Sequence, residues 1–109
     1  MELTMITTAF SFDGFRIVKN FGMVRGVTVR CLPIGGMFKA SFQMIAGGKL
    51  KLYTELCEKA RAEAFELMIK HAQELGAQAI IGVRYDATQL SEQATEVLCY
   101  GTAVQVTQV

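Results

Sequence analysis

The longest regular pattern of apolar positions in the chain lies between Leu50 and Leu75. Apolar side chains recur there at intervals of three and four residues, which predicts one long amphipathic helix. Gly76 follows at the place where helices commonly end in a left-handed residue. The apolar stripe consists of Tyr53, Leu56, Cys57, Ala60, Ala64, Leu67, Met68, His71 and Leu75.

A second apolar group occupies another side of the same predicted helix. One sheet covers only one face of a helix, so this second group predicts a contact with another copy of the chain. Its members are Ala62, Phe65, Ile69 and Ala72.

Two strands are predicted after the helix. Residues 78–86 alternate in a period of two, and the alternation predicts that Ala79, Ile81, Val83 and Tyr85 share a face. Residues 87–94 are polar and are typical of a loop. Residues 95–106 form the last predicted strand, and the short connection favours antiparallel pairing. On that strand one face carries Val97, Cys99, Gly101 and Ala103, and the other carries Leu98, Tyr100, Thr102, Val104 and Val106.

Residues 15–32 are rich in β-branched and aromatic side chains, which predicts one long strand or two shorter ones. Gly22 and Gly26 are predicted positions of bends or bulges, and Pro33 ends the pattern. Residues 34–48 hold a short apolar segment between two glycine pairs. It is typical of a flap that docks on the core or on a neighbouring subunit; a ligand lid or a membrane-surface contact is the alternative.

Length and composition favour a single domain over residues 1–109 that associates with itself. The apolar fraction of 51% is high for a chain of 109 residues, which buries a modest share of its surface. The net charge of +1 offers no electrostatic basis for nucleic-acid binding. Residues 1–50 carry six basic and two acidic side chains, whereas residues 51–109 carry five and eight, so the two halves should attract each other. Neither a membrane span nor a secretory signal is present in the pattern, so we expect a cytoplasmic protein.

The residues with the chemistry to bind a metal are Cys31, Cys57, Cys99 and His71. No Cys-x-x-Cys pair occurs, and reduced, mostly buried thiols are the simpler interpretation. Cys57 and His71 are roughly 21 Å apart along a straight helix, so one helix cannot bring both to one ion. A symmetric ring could instead gather one thiol from each copy around a soft metal ion. Nucleophilic catalysis needs a nucleophile, a base and a third group that orients the base. Because the chain has a single histidine, we expect no such arrangement, and no catalytic residue is predicted.

The run Leu75-Gly76-Ala77, the pair Gly47-Gly48 and the closing Gly101-Thr102-Ala103-Val104 together resemble the YbjQ-like family of small bacterial proteins. The resemblance implies a dodecin-like α+β sandwich, with one long helix on a curved, mainly antiparallel sheet. It also implies a ring of subunits, a pentamer in this family, and the family is often labelled as heavy-metal-binding. Gly26-Val27 stands where many members have Gly-Glu, and Tyr53-Thr54 where many have Tyr-Glu, so carboxylates at those positions are absent from this chain.

Three hypotheses of function follow. The first is a ring-forming, non-enzymatic binding or assembly module whose partner is itself. The second is a thiol-based protein for a soft divalent or monovalent metal ion. The third is a small-molecule enzyme with a site between subunits, near Gly35-Gly36 and Gly47-Gly48.

Overall fold

A computed structural model describes residues 5–31, 46–92 and 94–109. Four elements follow one another along the chain: strand β1 (Phe15–Cys31), helix α1 (Ala46–Glu74), strand β2 (Ala79–Gln89) and strand β3 (Ala94–Gln108). The predicted helix is confirmed, although it begins at Ala46, so Gly47-Gly48 lies inside it and is not a hinge. The rest of the predicted flap lies outside the described residues.

The three strands form one sheet in the order β1-β3-β2, and both pairings are antiparallel. Helix α1 packs on one face of this sheet, most closely against β1. The predicted α+β class, with one helix on an antiparallel sheet, is therefore confirmed. Strand β2 continues to Gln89 and β3 begins at Ala94, so the loop predicted over residues 87–94 is wrong at both ends.

One stripe of α1 supplies the core. Ala60, Ala64, Met68 and Ala72 are buried against the sheet, and Ile69 is buried beside them. The prediction of a second, uncovered apolar side is therefore wrong for Ile69 and Ala72. The sheet lies across the boundary between the two apolar groups and covers part of each, while Leu67 and Leu75 of the first group are exposed.

Gly26 marks the closest approach between β1 and α1. A Cβ atom at this position would lie 1.9 Å from the carbonyl oxygen of Ala64 and 2.5 Å from the backbone nitrogen of Met68. The predicted bend at Gly26 is wrong, because the ladder with β3 continues through it. The irregularity at Gly22 is confirmed, with a φ of 96° and a register shift after Asn20. Gly26 is needed for space, whereas Gly22 is needed for backbone conformation.

A bulge in β2 changes which side chains face the helix. The register with β3 shifts between Ile81 and Arg84, and Gly82 has a φ of 61°. Ile80 and Val83 consequently both pack in the helix-side core, whereas Ile81 packs on the opposite face. The predicted sharing of one face by Ala79, Ile81, Val83 and Tyr85 is wrong, because one extra residue reverses the alternation.

The described N-terminal segment runs along the free edge of β2. Ile6 forms a parallel bridge with Ile80, and the backbone nitrogens of Gly82 and Val83 donate to the carbonyl oxygens of Ala9 and Thr7. Met5 and Phe12 pack over the far face of the sheet against Ala79, Ile81, Val104 and Val106. Half of that face is thereby covered, and the half nearer the β2–β3 connection is left open.

Candidate functional site

The residues considered as metal ligands lie in separate environments. Strand β1 ends at Cys31, whose side chain is not among those that the structure describes. Cys57 is exposed on α1, and Cys99 is buried on the helix side of β3. His71 is half-buried near the far end of α1. Residues on α1 and β3 therefore do not converge as a three-ligand site would require.

The thiol of Cys99 is part of the core. Its Sγ lies 3.7 Å from Sδ of Met68, and the residue is fully buried. Burial raises the pKa of the Cys99 thiol, and a hydrogen bond with Tyr85 partly opposes that effect. Because metals bind the thiolate, a buried thiol that retains its proton is a poor ligand. Burial also raises the pKa of Tyr85, and the Cys99 thiolate would raise it further.

His71 has a structural partner on β1. Its Nδ1 accepts a hydrogen bond from the backbone nitrogen of Arg25, 3.2 Å away. An accepting Nδ1 requires the proton of the neutral ring to be on Nε2. Strand β1 is at the edge of the described sheet, so His71 satisfies a backbone donor that no strand pairs.

The described part of the chain has no group of three or more His, Cys, Asp or Glu side chains that could hold a metal ion. The described side chains of one copy therefore do not form a complete soft-metal centre. Of the two cysteines whose side chains are described, Cys57 is the one open to a thiol site shared between copies, because Cys99 is enclosed.

An ion-pair cluster joins β1 to α1 near the start of the long core stripe. Arg30 pairs with Glu63 through Nη2, and the hydroxyl of Thr28 donates to the same carboxylate at 3.3 Å. Nε of Arg30 is shielded from water and has no hydrogen-bond partner among the described residues. Sequence reasoning missed this cluster, although alternation from buried Val24 places Thr28 and Arg30 on the helix side of β1.

A cavity of about 310 Å³ lies beside this cluster, between the first half of α1 and the paired ends of β2 and β3. Leu56, Ala60, Ala87 and Val97 form apolar walls, and the side chains around them are polar or aromatic. Those others are Arg30, Tyr53, Cys57, Arg61, Tyr85, Asp86 and Thr95. Cys57 is thus the metal candidate that lines this cavity.

The far face of the sheet carries an exposed apolar area, here called the outer patch. It comprises Met23, Val27 and Val29 of β1 with Leu98 and Tyr100 of β3, and it is flanked by Arg25, Asp86 and Glu96. Met23 is 63% exposed, Val27 40% and Val29 49%. These side chains alternate with Val24, Gly26 and Thr28, which face α1, so the strand is apolar on both faces.

Arg61 and Arg84 have partners of different kinds. Arg61 pairs with Glu58 at 3.5 Å within one turn of α1. Arg84 instead donates to the carbonyl oxygen of Thr8 at 2.8 Å and lies over the ring of Phe10. Arg84 therefore holds the N-terminal segment against β2 in the same chain.

Among the residues described, no helix combines the length and apolar character needed to cross a bilayer.

Comparison with known proteins identifies the family. The family model described as "putative heavy-metal-binding" matches residues 4–107. UPF0145 proteins of Burkholderia thailandensis and Burkholderia mallei are each 54% identical to this chain over 101 residues, which are 93% of this chain and 91% of each relative. A solved structure of a protein of unknown function from Pediococcus pentosaceus, of the DUF74 family, has a TM-score of 0.61 at 19% identity and covers 94% of this chain and 96% of its own. That likeness confirms the fold, and the matched length and identity show that the chain belongs to the YbjQ-like family.

Proposed function

We propose that this protein is a ring-forming homo-oligomeric binding and assembly module of the cytoplasm, with a pentamer as its working state. The observation that carries the proposal is the outer patch. A sheet face with Met23, Val27 and Val29 exposed between 40% and 63% is unusual for a monomer, because burying those side chains is favourable.

The charges around the outer patch favour a second copy of this chain as the occupant. Arg25 lies on the edge strand, whereas Asp86 and Glu96 flank the patch on the side of β2 and β3. A neighbour rotated about a ring axis can place its Arg25 beside these carboxylates. This arrangement agrees with the opposite net charges of the two halves of the sequence.

Strand β1 supports the same occupant. In the described sheet it has a hydrogen-bonded neighbour on one side only. An edge strand of 17 residues with apolar side chains on both faces is a template for association. A closed ring would cover both this edge and the outer patch in every copy. An open assembly, such as a filament, would leave them exposed in the copies at its ends.

The test is the mass of the full chain in solution, measured by light scattering after gel filtration at micromolar concentration. We expect five times the 12.0 kDa chain mass for the unchanged protein. Val27→Glu should shift the mass to that of one chain, because association would bury an unpaired carboxylate. Val109→Glu is the matched control, since Val109 is 86% exposed after the end of β3, at the other end of the sheet from the patch.

A monomeric unchanged protein contradicts the proposal. So does a Val27→Glu variant that stays assembled like the Val109→Glu control. Circular dichroism of both variants distinguishes loss of assembly from loss of folding.

Thiol-based metal binding is the second candidate function, favoured by the exposure of Cys57 and by the description of the family. In a ring, each copy would contribute one thiol. Elemental analysis after incubation with cadmium and desalting tests it. Bound metal that disappears in Cys57→Ser supports this function, and retention that is unchanged when Cys31, Cys57 and Cys99 are all replaced by serine contradicts it.

A further inference from the structure

We propose that the cavity between the first half of α1 and the β2–β3 strands binds a small organic anion with a flat apolar body, such as an aromatic carboxylate. This inference concerns a site inside each copy. It goes beyond assembly and does not depend on the outer patch.

The cavity arises from the sizes of the residues around it. Near the middle of the sheet, Met68, Ile80 and Val24 fill the space under α1 with fully buried side chains. Under the first half of α1, the facing residues are Ala60 and Ala87, whose side chains are single methyl groups. The resulting 310 Å³ lies at the lower end of the range for small-ligand pockets.

The walls suit a flat apolar group. Leu56, Ala60 and Val97 supply aliphatic surface, and Tyr53 and Tyr85 supply ring surface. Tyrosine offers a flat contact with a polar end, so an aromatic ring can stack while a polar substituent reaches the rim.

The rim offers guanidinium donors to a negative charge. Arg30 and Arg61 both line the cavity together with Asp86; Arg30 is paired with Glu63 and Arg61 with Glu58, so an anion has to displace one of these carboxylates. The Oδ1 of Asp86 accepts a hydrogen bond from the backbone nitrogen of Ala87 at 2.9 Å, and its charge disfavours a second carboxylate beside it. Among the described residues, the shielded Nε of Arg30 has no hydrogen-bond partner, so this guanidinium has one unused donor after pairing with Glu63.

Arg61 is the cation best placed to exchange partners. Its pair with Glu58 is 3.5 Å long, and both side chains are more than half exposed. Such pairs contribute little stability, so a ligand carboxylate that binds two donors of the guanidinium would be preferred over Glu58. The predicted pose has the carboxylate at Arg61 and the ring between Tyr53 and Tyr85.

The experiment compares two probes of the same shape, naphthalene-2-carboxylate and its neutral carboxamide. Each is titrated into the deuterated, ¹⁵N-labelled full chain, and amide shifts are followed by NMR. We expect saturable shifts at Cys57, Ala60, Ala87 and Val97, and tighter binding of the carboxylate by about fivefold to tenfold.

Three variants locate the two parts of the site. Arg61→Gln should bring the carboxylate affinity down to that of the carboxamide. Arg16→Gln is the matched control, because it removes one positive charge from β1 beside Thr107, at the other end of the sheet. Ala87→Phe should abolish the binding of both probes by filling the cavity.

Equal affinities of the two probes overturn the proposal, as does retained preference for the carboxylate in Arg61→Gln. Shifts confined to Met23, Val27 and Leu98 would assign the binding to the outer patch and would also overturn it. Since neither Arg61 nor Ala87 belongs to the outer patch, these results are independent of the oligomeric state.

Discussion

The contact between β1 and α1 predicts a large penalty for the smallest possible substitution at position 26. Gly26→Ala adds one methyl group, and its Cβ would lie 1.9 Å from the carbonyl oxygen of Ala64. The backbone nitrogen of Met68 and the Cβ of Leu67 would lie 2.5 and 2.8 Å away. These atoms belong to the rigid part of the helix, so no rotation of a flexible side chain relieves the overlap.

The required displacement follows from these distances. Real Cβ atoms essentially never approach other heavy atoms closer than 3.0 Å, so the helix must retreat by the difference between 3.0 and 1.9 Å, or 1.1 Å. That movement would open gaps around Val24, Met68 and Cys99, which are fully buried. We expect Gly26→Ala to lower the free energy of unfolding by about 3 kcal/mol, at the upper end for overpacking.

Thermal unfolding monitored by circular dichroism, at one fixed protein concentration, measures the effect. A loss of this size corresponds to a fall in Tm of more than about 10 °C for a domain of this length. Gly76→Ala is the control, because Gly76 has a φ of 81° and open space around its Cβ position. It should cost only about 1–2 kcal/mol, from backbone strain alone.

Two results would refute the reasoning. One is a Gly26→Ala protein that melts at the temperature of the unchanged chain. The other is a Gly26→Ala penalty no larger than that of Gly76→Ala, which would mean that close packing against α1 does not explain the glycine.

Three further predictions concern the thiols and the histidine. Burial raises the pKa of the Cys99 thiol above its ordinary value of 9.0, so above that pH the unfolded chain loses the thiol proton before the folded chain does. The free energy of unfolding therefore falls as the pH rises. Urea titrations from pH 8 to 10 should show a smaller fall in this free energy for Cys99→Ala than for the unchanged chain. In a Cys31→Ser background, a thiol reagent should modify exposed Cys57 in the native protein and Cys99 only at the rate of unfolding; equal rates would contradict the burial of Cys99. His71→Leu should cost about 1 kcal/mol and speed hydrogen exchange at the Arg25 amide, while unchanged exchange there would show that Nδ1 is not its acceptor.

Sequence reasoning placed the elements of the fold well. The helix, its glycine stop and the two faces of β3 were confirmed, since each depends on a local period of 3.6 or 2 residues. The alternation along β2 was wrong because Gly82 inserts a bulge, and a glycine in a strand pattern does not state whether the ladder breaks there. The same ambiguity applies to Gly26, which was predicted to be a bend and is instead a position of close packing against α1.

The candidate site was predicted less well. The ligands of a metal or the groups of a cavity are joined by tertiary contacts, and the pairing of Arg30 with Glu63 spans 33 residues of sequence. The cavity depends on small side chains at Ala60 and Ala87 meeting across two elements. The amino-acid composition does not show which alanine side chains face each other in the folded chain.

The sequence by itself determined that this is one helix on an antiparallel sheet, and its apolar excess predicts association with further copies, which stays a prediction. Periodicity and turn residues act over a few neighbours, so they can be read along the chain. Only the tertiary structure decided which apolar side chains are exposed: the two apolar groups of α1 share the core, and the exposed area lies on the far side of β1 and β3. That outcome depends on the angle and depth at which α1 settles on β1, which is set by Gly26 and by the packing of every residue around it.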